Sequence, residues 1–308
     1  MSSALDDAWE LALSAPRREL GPWRVLADML LGEGDPRGEW MQLELDAEQA
    51  PLKGLARGRL VRLREELLPQ LLPLGVVPTK VEVHRGVLVG CVVIASQART
   101  PNDVRWQTVR RLAFSPERQP PSIQSWQRTP LGGPHLRRLV SLVDIEQEAM
   151  EVLASGPAIP SLESLGLLGH VGRPPGGGPA PWARWWSLVL PRHPKLREVH
   201  LGWSGLQSVT EARLEGVRTA ALTRVLVSAG PDDLRGLHTW AVAARPDWEF
   251  VAEFRDPRLA GASVVLGQSV LVLRCSPAQA ERAEEQIRSS WRGRVDVPEL
   301  RHEPLAAP

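Results

Sequence analysis

The 308-residue chain contains no tyrosine, three phenylalanines, four methionines and two cysteines, against twelve tryptophans. Lysine is almost missing: Lys53, Lys80 and Lys195 stand alone, and arginine supplies the rest of the 37 cations. That bias reflects a GC-rich coding sequence more than a selected binding surface. With 36 acids the net charge is +1, which argues against a general nucleic-acid binder, because such a surface needs a cationic surplus to displace counterions. No apolar run approaches the ~18 residues of a membrane span. The opening "MSSALDDAWELALSAP" has neither the basic start nor the apolar core of a signal peptide. Cys91 and Cys275, each among apolar neighbours, read as buried free thiols of a reducing compartment. The expectation is a cytoplasmic protein with no nucleic-acid and no membrane partner.

Signatures of catalysis are equally scarce. The seven histidines show no metal-type spacing with each other or with cysteine. There is no phosphate-cradling glycine loop with a lysine and no G-x-S-x-G elbow. Asp144, Glu146 and Glu148 alternate like a carboxylate cluster, but they fall at the expected start of a helix, where acids favour the dipole. No metal and no cofactor is expected, and the chain reads as a non-enzyme.

What is present is periodicity. Leu5, Ala8, Trp9, Ala12 and Leu13 form one helical stripe, and Trp23, Leu26, Met29 and Leu30 a second, after Pro22. Gly32 and Gly34 end that second helix, Asp35 reads as an N-cap, and Pro36 opens a third helix carrying Trp40, Met41, Leu43 and Leu45. Arg37 in this elbow could pair with Asp28 or Glu39. A further helix is expected around residues 59–72.

The same stretch, "RVLADMLLGEGDPRGEWMQLEL", resembles the repeat-companion domain, an N-terminal module found mainly in myxobacterial and planctomycete proteins, often ahead of leucine-rich repeats. Leu26, Ala27, Asp28 and Leu30 match its first half, and Gly34, Asp35, Pro36, Arg37, Gly38, Glu39 and Trp40 its second. Met29 stands where the family more often has tryptophan. The resemblance covers about 45 residues. It implies no catalytic residues, and it implies that repeats follow.

Leucine-rich repeats carry L-x-x-L-x-L strands every 20–29 residues. The template fits "VRRLAF", "LRRLVS", "LESLGL", "LREVHL", "LTRVLV" and "WEFVAE", whose middle positions are 112, 139, 165, 199, 225 and 251. The steps are 27, 26, 34, 26 and 26, and the long one contains the loop-like "GRPPGGGP", residues 172–179. Helix-like segments lie between, including one with Asp144 as N-cap and Gln147 completing a capping box, and one with Trp182, Trp185, Trp186 and Val189 on one face. Lys80 to Ser96 reads as one or two strands opening the sheet. "SVVLGQSVLVLRC" reads as a hairpin turning at Gly267-Gln268, followed by a helix capped by Ser276 and Gln279 and a final strand in "RVDVPEL".

The expected fold is therefore α/β: a helical domain over 1–75, a degenerate leucine-rich-repeat-like solenoid over 76–255 with an insertion at 172–179, and a hairpin–helix–strand cap over 256–308. Residues alternating with the buried leucines face outward and stack into rows. One row, Arg111, Arg138, Ser164, Glu198, Arg224 and Phe250, is polar and arginine-bearing. The next, including Gly166, His200 and Leu226, is mostly small or apolar. Two readings of that face follow: a groove for a protein partner, with arginines for acidic groups, or a face covered by the chain's own N-terminal helices or loops. The expected function is non-catalytic protein–protein interaction through Arg111, Arg138, Glu198, His200, Arg224 and Phe250. The alternative is an enzyme or enzyme-regulatory subunit with a site at His200 and Glu198.

Overall fold

The computed structural model describes residues 3–16, 18–99, 101–117, 121–167, 182–202, 222–229, 234–244, 249–254, 256–267, 270–291 and 298–304. The expected insertion at 172–179 lies outside them. The chain divides into two compact units, residues 1–115 with 127–139 and residues 116–126 with 140–308, and crosses between them after Ser115, within the short helix α5 (Ile123–Arg128) and after Leu139.

The first unit begins with four helices: α1 (Ser3–Ser14), α2 (Gly21–Gly32), α3 (Arg37–Gln49) and α4 (Gly54–Leu71). The stripes read from the sequence are its core. Leu5, Trp9 and Leu13 of α1 pack with Trp23, Leu26 and Leu30 of α2 and with Met41 and Leu45 of α3. Each such side chain contributes roughly 1.5–3 kcal/mol by leaving water. Gly38 lets α2 and α3 cross closely: a Cβ there would sit 2.6 Å from the Ala27 carbonyl oxygen and 2.8 Å from the Leu31 nitrogen. The helix α4 begins five residues before the expected 59.

Three strands complete this unit. β1 (Val76–His84) and β2 (Val87–Val93) form an antiparallel hairpin, and β3 (Arg111–Phe114) runs parallel to β2. Its two-residue turn, Arg85 (φ 51°) and Gly86 (φ 68°), has the positive φ at both positions that a hairpin of right-handed twist favours. That tip is clamped to α3. Arg85 is 1% exposed, places its guanidinium 5.2 Å from the Trp23 ring and donates to both Glu48 oxygens at 2.9 and 2.7 Å. One turn earlier, Glu44 accepts from the Trp40 indole at 2.6 Å and from the Gly86 amide at 3.3 Å. The helices and the first strands thus share one compact unit.

The second unit alternates strands with helices. β4 (Ser141–Ile145), α6 (Gln147–Ser155), β5 (Ser164–Leu167), α7 (Trp182–Arg192), β6 (Glu198–Gly202), β7 (Arg224–Ala229), α8 (Leu234–Ala244) and β8 (Glu249–Phe254) follow in order, and β4 to β8 each pair in parallel with the next. β9 (Ser263–Leu266) pairs antiparallel with β8 and with β10 (Val270–Cys275). α9 (Ala280–Ser290) then leads to β11 (Glu299–Pro304), parallel to β10. The architecture is mixed α/β with an open sheet. Because consecutive strands are neighbours, right-handed crossovers place their helices on one face. Val199, Leu201, Val225, Val227, Phe250 and Ala252 are buried there, as are Met150, Leu153, Trp186, Val189 and Leu237 of the helices.

The register corrects the repeat count at two places. Leu142, not Leu139, lies opposite Leu165, and Phe250, not Val251, lies opposite Val225. Leu139 is buried, but it bonds through its amide to Leu136 in a turn ahead of β4. The aligned positions are 142, 165, 199, 225 and 250, so the interval is looser than a constant 26. Asp144 is not the cap of α6 either. It stays in β4 with φ 58°, beside a shift in pairing, and Glu146 takes the N-cap position. The C-terminal hairpin forms as expected, its Gln268 lying outside the described residues, and the Ser276–Gln279 capping box is present.

Candidate functional site

The expected site residues fall in different places. Arg111, on β3 of the first unit, is exposed and ion-paired to Glu82 across Gly90. The missing side chain at Gly90 leaves the space: a Cβ there would meet Glu82 Oε2 at 3.0 Å. Arg138 is not in a strand row at all. It precedes β4, where Ser141 holds the row position, and it bonds to Glu10 at 2.6 Å and to Ser14. Phe250 is 2% exposed and belongs to the core, because the one-residue register difference turns it to the helix-covered side.

Glu198, His200 and Arg224 do come together, and they are part of something larger. The true row before the central apolar position is Ser141, Ser164, Glu198, Arg224 and Glu249. Glu198 is its hub: it accepts from His200 Nε2 at 2.7 Å, from Arg224 Nη1 at 3.2 Å and from the Ser164 hydroxyl. The hydrogen bond from His200 foremost, then Ser164 and the Arg224 charge, hold its carboxyl below the usual range despite partial burial. Arg224 also places Nε 3.0 Å from Glu249 Oε2, an ion pair without hydrogen-bond alignment. Arg274 on β10 continues the series, reaching Glu249 at 3.4 Å and Glu303 on β11 at 2.6 Å.

Five side chains from five strands thus form a ladder of alternating sign: Glu198, Arg224, Glu249, Arg274, Glu303. Each is between about one quarter and one half exposed. Individual pairs at that exposure contribute ~0–1 kcal/mol. The ladder presents charges already satisfied within the chain, in contrast to the free arginine edge expected from sequence. Ser164 holds its expected place in the row, whereas Glu249, Arg274 and Glu303 escaped the sequence reading. Counting from Phe250 instead of Val251 would have placed Glu249 in the row.

The elbow at residues 28–39 is structural. Asp35 accepts from the Arg37 amide at 2.9 Å and forks with the same residue's guanidinium, but the N-cap position of α3 falls to Pro36, one residue later than expected, and the helix opens at Arg37. Arg37 pairs with Asp35, therefore, and not with Asp28 or Glu39. Asp28 accepts from Gln42 and Glu39 from Arg59, while Pro36 and Gly38 shape the turn and the crossing. The geometry recurs: Asp103 accepts from the Arg105 amide and guanidinium, and Asp256 from the Arg258 amide.

Chemically, His200 is an imidazole oriented by a carboxylate, as a general base would be. Ser164 gives its proton to Glu198 and not to an imidazole, so the serine–histidine pair of a nucleophilic site is not formed here. Cys91 and Cys275 are free and buried; burial pushes the Cys91 thiol up to about 12 and raises Cys275 as well. Among the described residues no group of three His, Cys, Asp or Glu side chains is placed to hold a metal, and no helix is long and apolar enough to cross a membrane. Comparison with protein-family models, with curated proteins and with solved structures finds no match to this chain.

Proposed function

We propose that this is a non-catalytic interaction or scaffold protein of the cytoplasm. In this reading the second unit is a degenerate leucine-rich-repeat-type solenoid, and the helical segment ahead of it is a repeat-companion-like module. The partner is a protein that docks on the sheet face bearing the ladder. One observation carries the reading: five alternating charges from Glu198 to Glu303 stand partly exposed on the face opposite the helices. Such a row supplies orientation and register to a partner more than raw affinity. The test is affinity purification of the tagged protein from its host, beside Arg224→Glu with Arg274→Glu, after both are shown to be folded. A partner retained by the wild type and lost by the variant is expected. Partners held equally by both would remove the ladder from recognition.

The 2.7 Å contact between His200 and Glu198 favours a second reading, an enzyme or enzyme-regulatory subunit with its site there. Hydrolytic turnover of ester or phosphoester substrates that disappears in His200→Ala would favour it over docking.

A further inference from the structure

We propose that the first half of α4 docks this protein onto an anionic lipid bilayer, using its unpaired cations and the protruding Leu55 side chain. The whole-chain charge of +1 conceals a local excess: residues 53–64 hold Lys53, Arg57, Arg59, Arg62 and Arg64 and no acid. The opposite side of the helix is anchored, with Leu63 and Leu67 buried beside Trp40. Leu55, Arg59 and Arg62 follow one another at four and three residues, so they share a face, while Arg57, two residues on from Leu55, lies about 160° round the helix on the other flank of its exposed side. Leu55 is 88% exposed, more than any other large hydrophobic described, and Val61 is 50% exposed.

The arginines of the strands are neutralised within the chain: Arg111 by Glu82, Arg224 by Glu198 and Glu249, Arg274 by Glu249 and Glu303. On α4 only Arg59 is treated so, forked onto Glu39 at 2.8 and 2.6 Å. Among the described residues, Lys53, Arg57 and Arg62 enter no ion pair. A nucleic-acid backbone would be held by those cations alone. A leucine standing clear of the surface gains when its apolar area leaves water, and beside cations that combination suits the headgroup–acyl boundary of an anionic bilayer. This is contact at a surface by a folded unit, not a span. Each cation near such a surface adds about fivefold to partitioning, so Arg62 beside Leu55 supplies about fivefold, and all three unpaired ones at most roughly a hundredfold.

The test is co-sedimentation of the full chain with phosphatidylcholine vesicles containing about 30% phosphatidylserine, beside vesicles of phosphatidylcholine alone. Binding is expected only with phosphatidylserine, weakening about tenfold as salt rises from about 50 to 200 mM. Arg57→Glu with Arg62→Glu is expected to reduce it at least tenfold, and Leu55→Ser about tenfold. These side chains are exposed, so folding should survive; Arg57→Gln with Arg62→Gln serves if the charge reversal disturbs it. The ladder variant Arg224→Glu should bind vesicles like the wild type, which keeps this contact separable from partner docking. No phosphatidylserine-dependent binding at low salt would overturn the proposal, as would undiminished binding by the folded charge variants. Binding to a DNA duplex as tight as to vesicles, unaffected by Leu55→Ser, would replace the bilayer with nucleic acid.

Discussion

Gly38→Ala and Gly58→Ala are the same substitution in two helices of one unit, and the structure assigns them opposite signs. In a helix, alanine is favoured over glycine by up to about 1 kcal/mol, from backbone entropy. At Gly58, on the exposed side of α4, a Cβ meets nothing within 4 Å, so that gain is realised and the protein should stabilise by about 0.5–1 kcal/mol. At Gly38 the new methyl lies 2.6 Å from the Ala27 carbonyl oxygen and 2.8 Å from the Leu31 nitrogen. Those are backbone atoms and cannot rotate away. Restoring ordinary contact requires α2 and α3 to separate by roughly 0.8 Å, a gap that forfeits a quarter to a half of each dispersion contact across it. Overpacking of this kind costs about 1–3 kcal/mol, which outweighs the helix gain and leaves a net loss of about 1 kcal/mol. Urea unfolding followed by tryptophan fluorescence reads the difference, and hydrogen exchange over residues 21–49 locates it. A Gly38→Ala protein as stable as the wild type, or both variants shifting the same way, would refute the close crossing.

Other consequences are open to measurement. Arg85→Ala should cost about 2–3 kcal/mol, from the lost charged hydrogen bonds to Glu48 and the packing on Trp23, read as a lower urea midpoint; no change would show that the hairpin tip is not clamped. Burial, with repulsion from Glu148 and Glu117, pushes the Glu146 carboxyl up to about 7. Its ionisation therefore destabilises the folded state above that pH, and the penalty fades as pH falls from about 7 towards the unfolded value near 4.5. Glu146→Gln should accordingly raise the melting temperature at pH 8 but not at pH 4, and an equal gain at both would refute this. Both cysteines should resist a thiol reagent in the folded protein and react once urea unfolds it. A fast-reacting thiol in the native state would contradict their burial.

The helices of the first unit were legible because their stripes are one-sided: Leu5, Trp9 and Leu13 alternate with Asp6, Asp7 and Glu10, and only one face can be core. The strands were legible as strands, but not in register. In "LVSLVDI" leucines at 139 and 142 both fit the template, and in "EFVAEF" Phe250 and Val251 are adjacent and both buried. Where both faces carry apolar residues, period-2 alternation loses its power to choose between them. The ladder was missed for that reason, since a slip of one residue exchanges Glu249 for Phe250. The clamp of Arg85 on Glu48 joins residues 37 positions apart, and local pattern carries no information at that distance.

The alternation of the ladder has a counting consequence. Arg224 stands between Glu198 and Glu249, and Arg274 between Glu249 and Glu303. Deleting one interior rung brings two like charges side by side, and so does duplicating a single one. Removing or adding a glutamate–arginine pair leaves every neighbour of opposite sign. The charged rungs of such an array tolerate growth by twos and resist growth by ones, while β9, which lies between β8 and β10 and carries no rung, leaves the alternation untouched, so parity constrains the charged strands alone.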